Sequence, residues 1–300
     1  MAKKSSSKRI TVPCILGRKR ELLSGKGAKI SALTAYDYTF ARLLDRAGVD
    51  VLLVGDSLGS VIQGEENTLP VTLEDIIYHT RCVVRGTSRA LVVSDLPFMS
   101  YQVSVEKALE SAGRLVKEGK ASAVKLEGGE HMEETIRRIV EIDIPVMGHV
   151  GLTPQSFHRM GGHKLQGKYG SDSRVVSPAE KVVSDALAVE RAGAFAVVLE
   201  GVPAEVAREI TDQLSIPTIG IGAGAGCDGQ ILVSYDLLGL DPEFKPRFVR
   251  RFAELGQAVE LAVRTYNEEV QNGMFPGLEQ TVSQPRKAQL AVVKSGTEDL

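Results

Sequence analysis

The chain has 300 residues, of which 43% are hydrophobic and 25% charged, and its formal net charge is -2. This composition is ordinary for a globular protein and excludes a disordered chain. The near-neutral charge gives no reason to expect nucleic acid or an anionic membrane as a partner. No apolar run reaches the length of about 18 residues that spans a bilayer, and no signal-peptide pattern is present. We therefore expect a cytoplasmic protein with a small-molecule partner.

The length favours one domain, because a single α/β barrel typically takes about 250 residues. We expect an N-terminal arm over residues 1–24, a catalytic barrel domain with terminal helices over residues 25–278, and a flexible C-terminal tail over residues 279–300. Three cysteines, Cys14, Cys82 and Cys227, are too few and too scattered for a disulfide framework or a zinc site.

Short apolar runs alternate with longer stretches of helical period, which is typical of a parallel sheet flanked by helices. The predicted strands are Lys29–Leu33, Val51–Val54, Leu91–Ser94, Ala123–Leu126, Pro145–Gly148, Ala196–Leu199, Pro217–Ile221 and Ile231–Val233. The predicted helices are Tyr38–Ala47, Leu73–Gly86, Val105–Glu118, Met132–Glu141, Pro178–Ala192 and Ala204–Leu214. Eight strands favour closure into a (β/α)8 TIM barrel over the runner-up, a doubly wound open sheet.

Two further segments have a distinct character. Residues Val150–Val176 form a long irregular stretch rich in Gly, His, Lys and Ser, and a loop of that length inside a compact domain is usually functional or disordered, so it is a lid candidate. Residues Pro246–Val270, after the last predicted strand, are predicted to be helical and to pack on the barrel or on a neighbour.

Polar side chains stand at the ends of five successive predicted strands. In a closed barrel the catalytic groups lie at the carboxyl ends of the strands, so these residues would all face one mouth. They are Asp56 and Ser57 after strand two, Asp95 after strand three, Lys125 and Glu127 in strand four, His149 after strand five and Glu200 after strand six.

The two residues of strand four share a face. Lys125 and Glu127 are two positions apart, so their side chains point the same way while Leu126 points the other way. A barrel interior that contains both a lysine and a glutamate must pair them or use them.

Two aspartates come from neighbouring strands. Asp56 and Asp95 are expected to approach closely, and two carboxylates repel unless a cation lies between them. Oxygen ligands without a Cys or His cluster favour Mg²⁺. The alternative, that the two aspartates are unrelated helix caps, stays open on this pattern alone.

The chain resembles the ketopantoate hydroxymethyltransferase family over roughly residues 10–277. The matching segments occur in one unbroken order, which makes them far more specific than any single pattern above. They are LTAYDYTFARLLDRAGVDVLLVGDSLG, TLPVT, DLPFMSY, VKLEGGE, GHVGLTPQS, VVLEGVP, IPTIGIGAGAGCDGQILV and FPG.

This resemblance implies a (β/α)8 barrel of the phosphoenolpyruvate mutase and isocitrate lyase superfamily. It implies transfer of a hydroxymethyl group from 5,10-methylenetetrahydrofolate to 3-methyl-2-oxobutanoate, which gives 2-dehydropantoate and tetrahydrofolate for pantothenate biosynthesis. A Mg²⁺-stabilised enolate would attack the one-carbon unit of the folate. The family resemblance also implies a homodecamer.

The resemblance assigns roles to the residues at the strand ends. Asp56 and Asp95 look like the Mg²⁺ carboxylates, with Glu127 in the outer coordination sphere. Ser57, Asp95 and Lys125 would hold the keto acid, Lys125 through its charge.

Two further roles and one departure follow from the same resemblance. Glu200 stands in the place of the family's proton acceptor, and His149 stands where it would touch the substrate or the one-carbon unit. Ser234 occupies a position where many relatives have histidine, which puts any contact there in doubt.

Two alternative functions remain open. A lyase or mutase acting on a different oxo acid would keep the fold and the metal, since one barrel hosts many chemistries. A catalytically silent barrel, kept for assembly or ligand storage, is the alternative from another class.

Overall fold

The computed structural model describes residues 8–160, 166–168 and 177–282, and its eight parallel strands close into a barrel in chain order. The strands are β1 Ile30–Thr34, β2 Val51–Val54, β3 Leu91–Asp95, β4 Ala123–Glu127, β5 Val146–Gly151, β6 Ala196–Glu200, β7 Thr218–Ile221 and β8 Gly229–Leu232. The helices are α1 Val12–Leu23, α2 Tyr38–Ala47, α3 Leu73–Gly86, α4 Val105–Arg114, α5 Glu133–Glu141, α6 Phe157–Met160, α7 Pro178–Arg191, α8 Ala204–Gln213, α9 Ser234–Leu238 and α10 Leu255–Gln271. Strand β8 pairs with β1, so the predicted TIM barrel is confirmed and the open sheet is excluded.

Strand alternation divides the apolar residues into two layers. In β2, Val51 and Leu53 belong to the cluster inside the barrel, whereas Leu52 and Val54 belong to the larger cluster between the barrel and its helices. Both faces of each strand are therefore covered, as the apolar density of the predicted strands indicates.

Local sequence explains where several helices begin and end. Thr72 and Asp75 form a capping box at the start of α3, and Ser177 and Glu180 form another at the start of α7. Gly48 ends α2 with φ of 92°, a left-handed conformation that glycine adopts without steric cost. These signals set the ends of the helices, which carry the chain back from the end of one parallel strand to the start of the next.

The predicted helix over Pro246–Val270 is wrong in its first part, because α10 begins only at Leu255. The preceding segment folds back on itself instead. The Arg251 guanidinium donates to the carbonyl oxygens of Asp241 and Phe244 at 2.6 and 2.7 Å. These bonds to a non-helical backbone compete with continuous helix formation.

Helix α1, inside the predicted N-terminal arm, packs under the barrel at the amino ends of the strands. Ile15 is buried with the apolar residues of the barrel interior. The buried Lys19 ammonium donates to the carbonyl oxygen of Thr211 at 2.6 Å and to Asp228 Oδ2 at 3.0 Å. Asp228 also accepts from the backbone N–H of Thr218 at 2.9 Å, so this ion pair joins α1 to the starts of β7 and β8.

Helix α10 differs from the others because this protomer leaves it uncovered. Gly256 is its buried residue, and apolar side chains along it, including Leu261 and Tyr266, are more than half exposed at 65% and 52%. In the part of the chain that the structure describes, no helix is long and apolar enough to cross a membrane.

The predicted lid segment Val150–Val176 is described only in part. Residues 150–151 complete β5, and a single turn over Pro154–Ser156 leads into α6. Residues 161–165 and 169–176 lie outside the described residues, as do residues 283–300 of the predicted tail. The lid and the flexible tail stay predictions.

Candidate active site

The inward face of the barrel carries the polar residues that the sequence analysis selected. Alternation along β4 directs Lys125 and Glu127 inward, while Leu126 joins the outer apolar layer, as the spacing predicts. Strand register sets Asp95 beside Lys125 and Glu127 beside His149. We call the assembled group the strand-end cluster, and it comprises Asp56, Asp95, Lys125, Glu127, His149 and Glu200.

Asp56 and Asp95 meet at the mouth of the barrel. The backbone N–H of Asp56 donates to Asp95 Oδ2 at 3.0 Å, and the Lys125 ammonium donates to Asp95 Oδ1 at 2.6 Å. Burial, reinforced by the charges of Asp95 and Glu127, raises the pKa of Asp56 to about 8. Burial also raises the pKa of Asp95, although Lys125 opposes that rise. The mouth thus groups buried carboxyl side chains whose ionisation together is disfavoured, and one lysine only partly offsets their repulsion.

The hydroxyl of Ser57 contacts a tyrosine at the end of the neighbouring strand. Its hydroxyl lies 2.9 Å from the hydroxyl of Tyr36, a buried residue after β1. Gly55 leaves room for this arrangement, since a Cβ there would lie 2.9 Å from Ser57 Oγ and 3.4 Å from Asp95 Oδ2. The tight turn after β2 therefore brings the serine hydroxyl and the Asp95 carboxylate close together.

His149 lies between two carboxylates. Its Nδ1 is 3.5 Å from Glu127 Oε1 and its Nε2 is 3.2 Å from Glu200 Oε2, close enough for ion pairing but without the alignment of hydrogen bonds. Burial lowers the pKa of His149, but the two glutamates outweigh it and raise the pKa to about 9. Glu200 is the more accessible of the two glutamates, because its side chain is 19% exposed and that of Glu127 only 3%.

Two residues that the sequence analysis missed link the strand-end cluster. Gln155 follows β5, and its side-chain amide donates to Asp56 Oδ2 at 2.9 Å while its backbone N–H donates to Glu127 Oε2 at 3.0 Å. The buried Tyr101 hydroxyl lies 2.8 Å from Gln155 Oε1. Both residues fall in segments that carry the family resemblance, DLPFMSY and GHVGLTPQS, which was the available signal.

Two cavities adjoin the site on the side of β4 and β5, with volumes of about 160 and 430 Å³. Glu127, Tyr101 and Gln155 line the smaller one, whereas Asp56, Asp95, Lys125 and Glu200 line neither. The cavities therefore lie beside the strand-end cluster and not at its centre. His131, Gly151, Ser156, Arg159 and Asp185 line both of them.

The described residues offer only a small number of ligands for a metal ion, and that number is compatible with Mg²⁺. Among the described residues, no three His, Cys, Asp or Glu side chains form a ready metal-binding group. Mg²⁺ commonly takes only one or two protein carboxylates together with water and substrate, which Asp56 and Asp95 can supply. Glu127 Oε1 is buried without a hydrogen-bond partner in the described structure, as expected of an oxygen that faces a ligand or its water.

His79 and Ser234 lie away from this chemistry. Nδ1 of His79, in α3, lies 2.6 Å from the carbonyl oxygen of Tyr36, so the ring contacts the backbone just after β1. Ser234 is buried at the start of α9, where its backbone N–H donates to Thr34 Oγ1 at 3.0 Å. His158 is exposed in α6, and His163 lies outside the described residues.

A closed barrel with polar and charged residues at the carboxyl ends of its strands is typical of a (β/α)8-barrel enzyme that acts on a small molecule. Comparison with known proteins narrows this class. The sequence model described as "Ketopantoate hydroxymethyltransferase" matches residues 18–278. The chain belongs to the ketopantoate hydroxymethyltransferase family, a family of transferase enzymes.

Curated relatives carry the name 3-methyl-2-oxobutanoate hydroxymethyltransferase. The protein from Pelobacter propionicus is 55% identical over 269 residues, which cover 90% of this chain and 96% of that protein. The protein from Geobacter sulfurreducens is 56% identical over 254 residues, which cover 85% and 93%. Family membership therefore favours a hydroxymethyltransferase over the lyase and the silent barrel.

Solved structures with low sequence identity share the fold. A 2,3-dimethylmalate lyase of the PEP mutase/isocitrate lyase superfamily has a TM-score of 0.55 at 19% identity, over 91% of this chain and 89% of that chain. A phosphonopyruvate hydrolase in complex with oxalate and Mg²⁺ has a TM-score of 0.57 at 13% identity, over 91% and 92%. At such low sequence identity, the similarity shows only that these proteins share the barrel fold.

Proposed function

We propose that the protein transfers a hydroxymethyl group from 5,10-methylenetetrahydrofolate to 3-methyl-2-oxobutanoate, with Mg²⁺ as the metal. The observation that carries the proposal is the convergence of Asp56, Asp95 and Lys125 at one mouth, with Glu200 on the same inward face. The relatives named for this keto acid support the choice of substrate.

In this proposal, Asp56 and Asp95 would hold Mg²⁺ and Glu127 would hold a water of its outer sphere. Bound Mg²⁺ would stabilise negative charge that develops on the oxygens of the keto acid. Lys125 attracts the substrate carboxylate through its positive charge, and the Ser57 hydroxyl is free to turn toward it from Tyr36. The substrate is thereby oriented with its C3 hydrogen toward Glu200.

Glu200 would act as the proton acceptor. It takes the C3 proton, and the electron pair of the broken C–H bond then forms the new bond from C3 to the methylene carbon. One of the two bonds from that carbon to folate nitrogens breaks as the bond to C3 forms, and a water molecule supplies the hydroxyl that replaces the other. The two freed nitrogens take up the proton from C3 and the remaining proton of the water, which gives the hydroxymethyl product and tetrahydrofolate. His149, 3.2 Å from Glu200, would steady the carboxylate during the transfer.

The adjoining cavities offer room for the second substrate. Arg159 lines both cavities and Lys181 lines the larger one, and their positive charges suit the carboxylates of a folate tail. Lys181 also pairs with Glu130 at 2.5 Å and Asp185 at 3.0 Å, so Arg159 has the greater capacity for a new anion.

We further propose that copies of this chain assemble with each other through α10. Val259, Val263, Tyr266 and Val270 recur at spacings of four, three and four residues, which aligns them on one helical face. All four are exposed, at 44–55%. A second copy of the chain is the occupant that we propose, and the resemblance implies ten copies.

The test is proton NMR of 3-methyl-2-oxobutanoate in D₂O with the full-length protein and Mg²⁺. We expect loss of the C3 proton signal with metal present, and hydroxymethyl signals only after addition of the folate donor. EDTA should stop both changes. Absence of exchange and product under all conditions would refute the proposed reaction.

The matched variants are Glu200→Gln and Glu205→Gln, the second on the exposed start of α8. Glu200→Gln should bind the keto acid yet lose C3 exchange by about a hundredfold or more, because a positioned base contributes at least that factor. Glu205→Gln should exchange like the parent. Exchange at the parent rate in Glu200→Gln would remove Glu200 as the proton acceptor.

A further inference from the structure

Gln155 contacts two of the acidic residues in the strand-end cluster at once. Its side chain donates to Asp56 Oδ2, and its backbone N–H donates to Glu127 Oε2. These two carboxylates come from different strands, β2 and β4, so nothing along the chain itself fixes their relative orientation. A single residue after β5 therefore ties the ends of two strands together.

The hydrogen bonds of the Gln155 amide fix its direction. Its Nε2 also donates to the carbonyl oxygen of Leu96 at 3.0 Å, and a carbonyl can only accept. Its Oε1 receives the Tyr101 hydroxyl at 2.8 Å and the Gln102 amide at 3.0 Å. Both donors and both acceptor positions of the amide are thus occupied, which leaves the side chain one orientation.

The same bonds select which carboxylate oxygens remain for a ligand. Gln155 occupies Asp56 Oδ2, which leaves Oδ1 for a cation. It occupies Glu127 Oε2, and the other oxygen, Oε1, is the buried one without a hydrogen-bond partner in the described structure. Gln155 thus holds one oxygen of each carboxylate and leaves the other for a ligand, and at Glu127 that second oxygen also lies 3.5 Å from His149 Nδ1.

We propose that Gln155 is a positioning residue that sets the metal affinity of the site, with Tyr101 as its support. The inference rests on the proposed Mg²⁺ site. Gln155 touches neither metal nor substrate in this role. It acts by holding Asp56 and Glu127 in the orientation that a divalent cation requires, so that binding the cation needs no rearrangement of buried carboxylates.

The experiment measures Mn²⁺ binding to the substrate-free, full-length protein by electron paramagnetic resonance, with Mg²⁺ competition. Gln155→Met keeps the side-chain length and the backbone bond to Glu127 but removes all four bonds of the side-chain amide, those to Asp56 and Leu96 and those from Tyr101 and Gln102. We expect its Kd for Mn²⁺ to rise about 10- to 100-fold, the usual cost of losing a group that orients a ligand. Gln213→Met makes the same change at the exposed end of α8, is the matched control, and should bind like the parent.

Turnover gives a second readout that a merely structural role would not produce. The Mg²⁺ concentration for half-maximal activity should rise in Gln155→Met by the same factor as the Kd, while saturating Mg²⁺ restores most of kcat. A defect that persists at saturating Mg²⁺, with Mn²⁺ affinity unchanged, would refute the positioning role.

Tyr101→Phe covers the case in which Gln155→Met fails to fold. It removes only the hydroxyl that contacts Gln155 Oε1 and the Glu127 backbone. We expect a smaller but measurable rise in the Mn²⁺ Kd. If the folded variants bind Mn²⁺ as tightly as the parent, the positioning role of Gln155 is overturned and the proposed metal site is not. Failure of the parent to bind either metal overturns the metal site of the proposed function and this inference with it.

Discussion

The residues of the strand-end cluster stabilise one another's charge at a cost to the fold. The Lys125–Asp95 pair is almost fully buried, with side-chain exposures of 5% and 2%. The three carboxylates Asp95, Glu127 and Asp56 raise the pKa of Lys125 against the effect of its burial, so the ammonium stays charged. Such a pair contributes little net stability, but removal of one partner leaves the other charge uncompensated.

Lys125→Met tests this pair. We expect the free energy of unfolding to fall by about 3–5 kcal/mol, because Asp95 then keeps a buried charge without its partner. Thermal unfolding should shift down by roughly 10 °C for a domain of this size. Lys107→Met is the control, since its 3.0 Å pair with Glu110 is exposed and is worth about 1 kcal/mol or less. Equal shifts in the two variants would contradict the argument.

Among the elements, the short helix α9 carries an acidic residue in a disfavoured setting. Asp236 lies in its first turn. Burial, with the nearby Asp241 charge, raises the pKa of Asp236 to about 6 against an ordinary value of 3.8, although Arg251 opposes the rise. The folded protein therefore holds this proton more tightly than the unfolded chain does.

This difference fixes the sign of a pH effect. As the pH rises from about 4 to 6, the unfolded chain loses the Asp236 proton first, so the free energy of unfolding falls and then stays lower. Asp236→Asn removes the penalty and should stabilise the protein at pH 7.5 by about 1 kcal/mol, a figure reduced for the partial exposure of the group. At pH 4 the variant and the parent should unfold alike. Chemical denaturation at both pH values measures this, and a stabilisation of equal size at pH 4 would contradict it.

At the scale of the whole molecule, α10 provides an apolar face that this protomer does not cover. Single exposed apolar residues are normal on a protein surface, but an aligned helical stripe marks an interaction surface. The stripe comprises Val259, Val263, Tyr266 and Val270. We expect the oligomer to depend on it.

The corresponding variant is Val263→Glu, with Gln257→Glu as the control. Both positions are exposed on α10 and both changes add one negative charge, but Gln257 lies on the opposite side of the helix. Light scattering after size exclusion should show smaller assemblies for Val263→Glu and parent-like assemblies for Gln257→Glu. Unchanged mass for Val263→Glu would exclude this face from the interface.

Much of this architecture was predictable, because strand and helix periods are local properties of the sequence. The eight predicted strands differ from the observed strands by at most three residues at either end. The strand-end cluster was predictable for the same reason, since barrel topology alone brings strand ends together. Gln155 was not, because its position depends on hydrogen bonds to Asp56, Leu96 and Tyr101, which are distant in sequence. The start of α10 was missed because Arg251 bonds to carbonyl oxygens ten and seven residues earlier, which a helical period does not reveal.

The ion pair beneath the barrel has a consequence for biosynthesis. Lys19 is synthesised well before its partner Asp228, which is 209 residues further along the chain. At ordinary elongation rates of about 5–20 residues per second, the lysine waits roughly 10–40 s for that partner. During this interval the floor of the barrel is open and the first strand has no eighth strand to pair with. The barrel of the nascent chain therefore cannot close until Asp228 and the eighth strand have been synthesised.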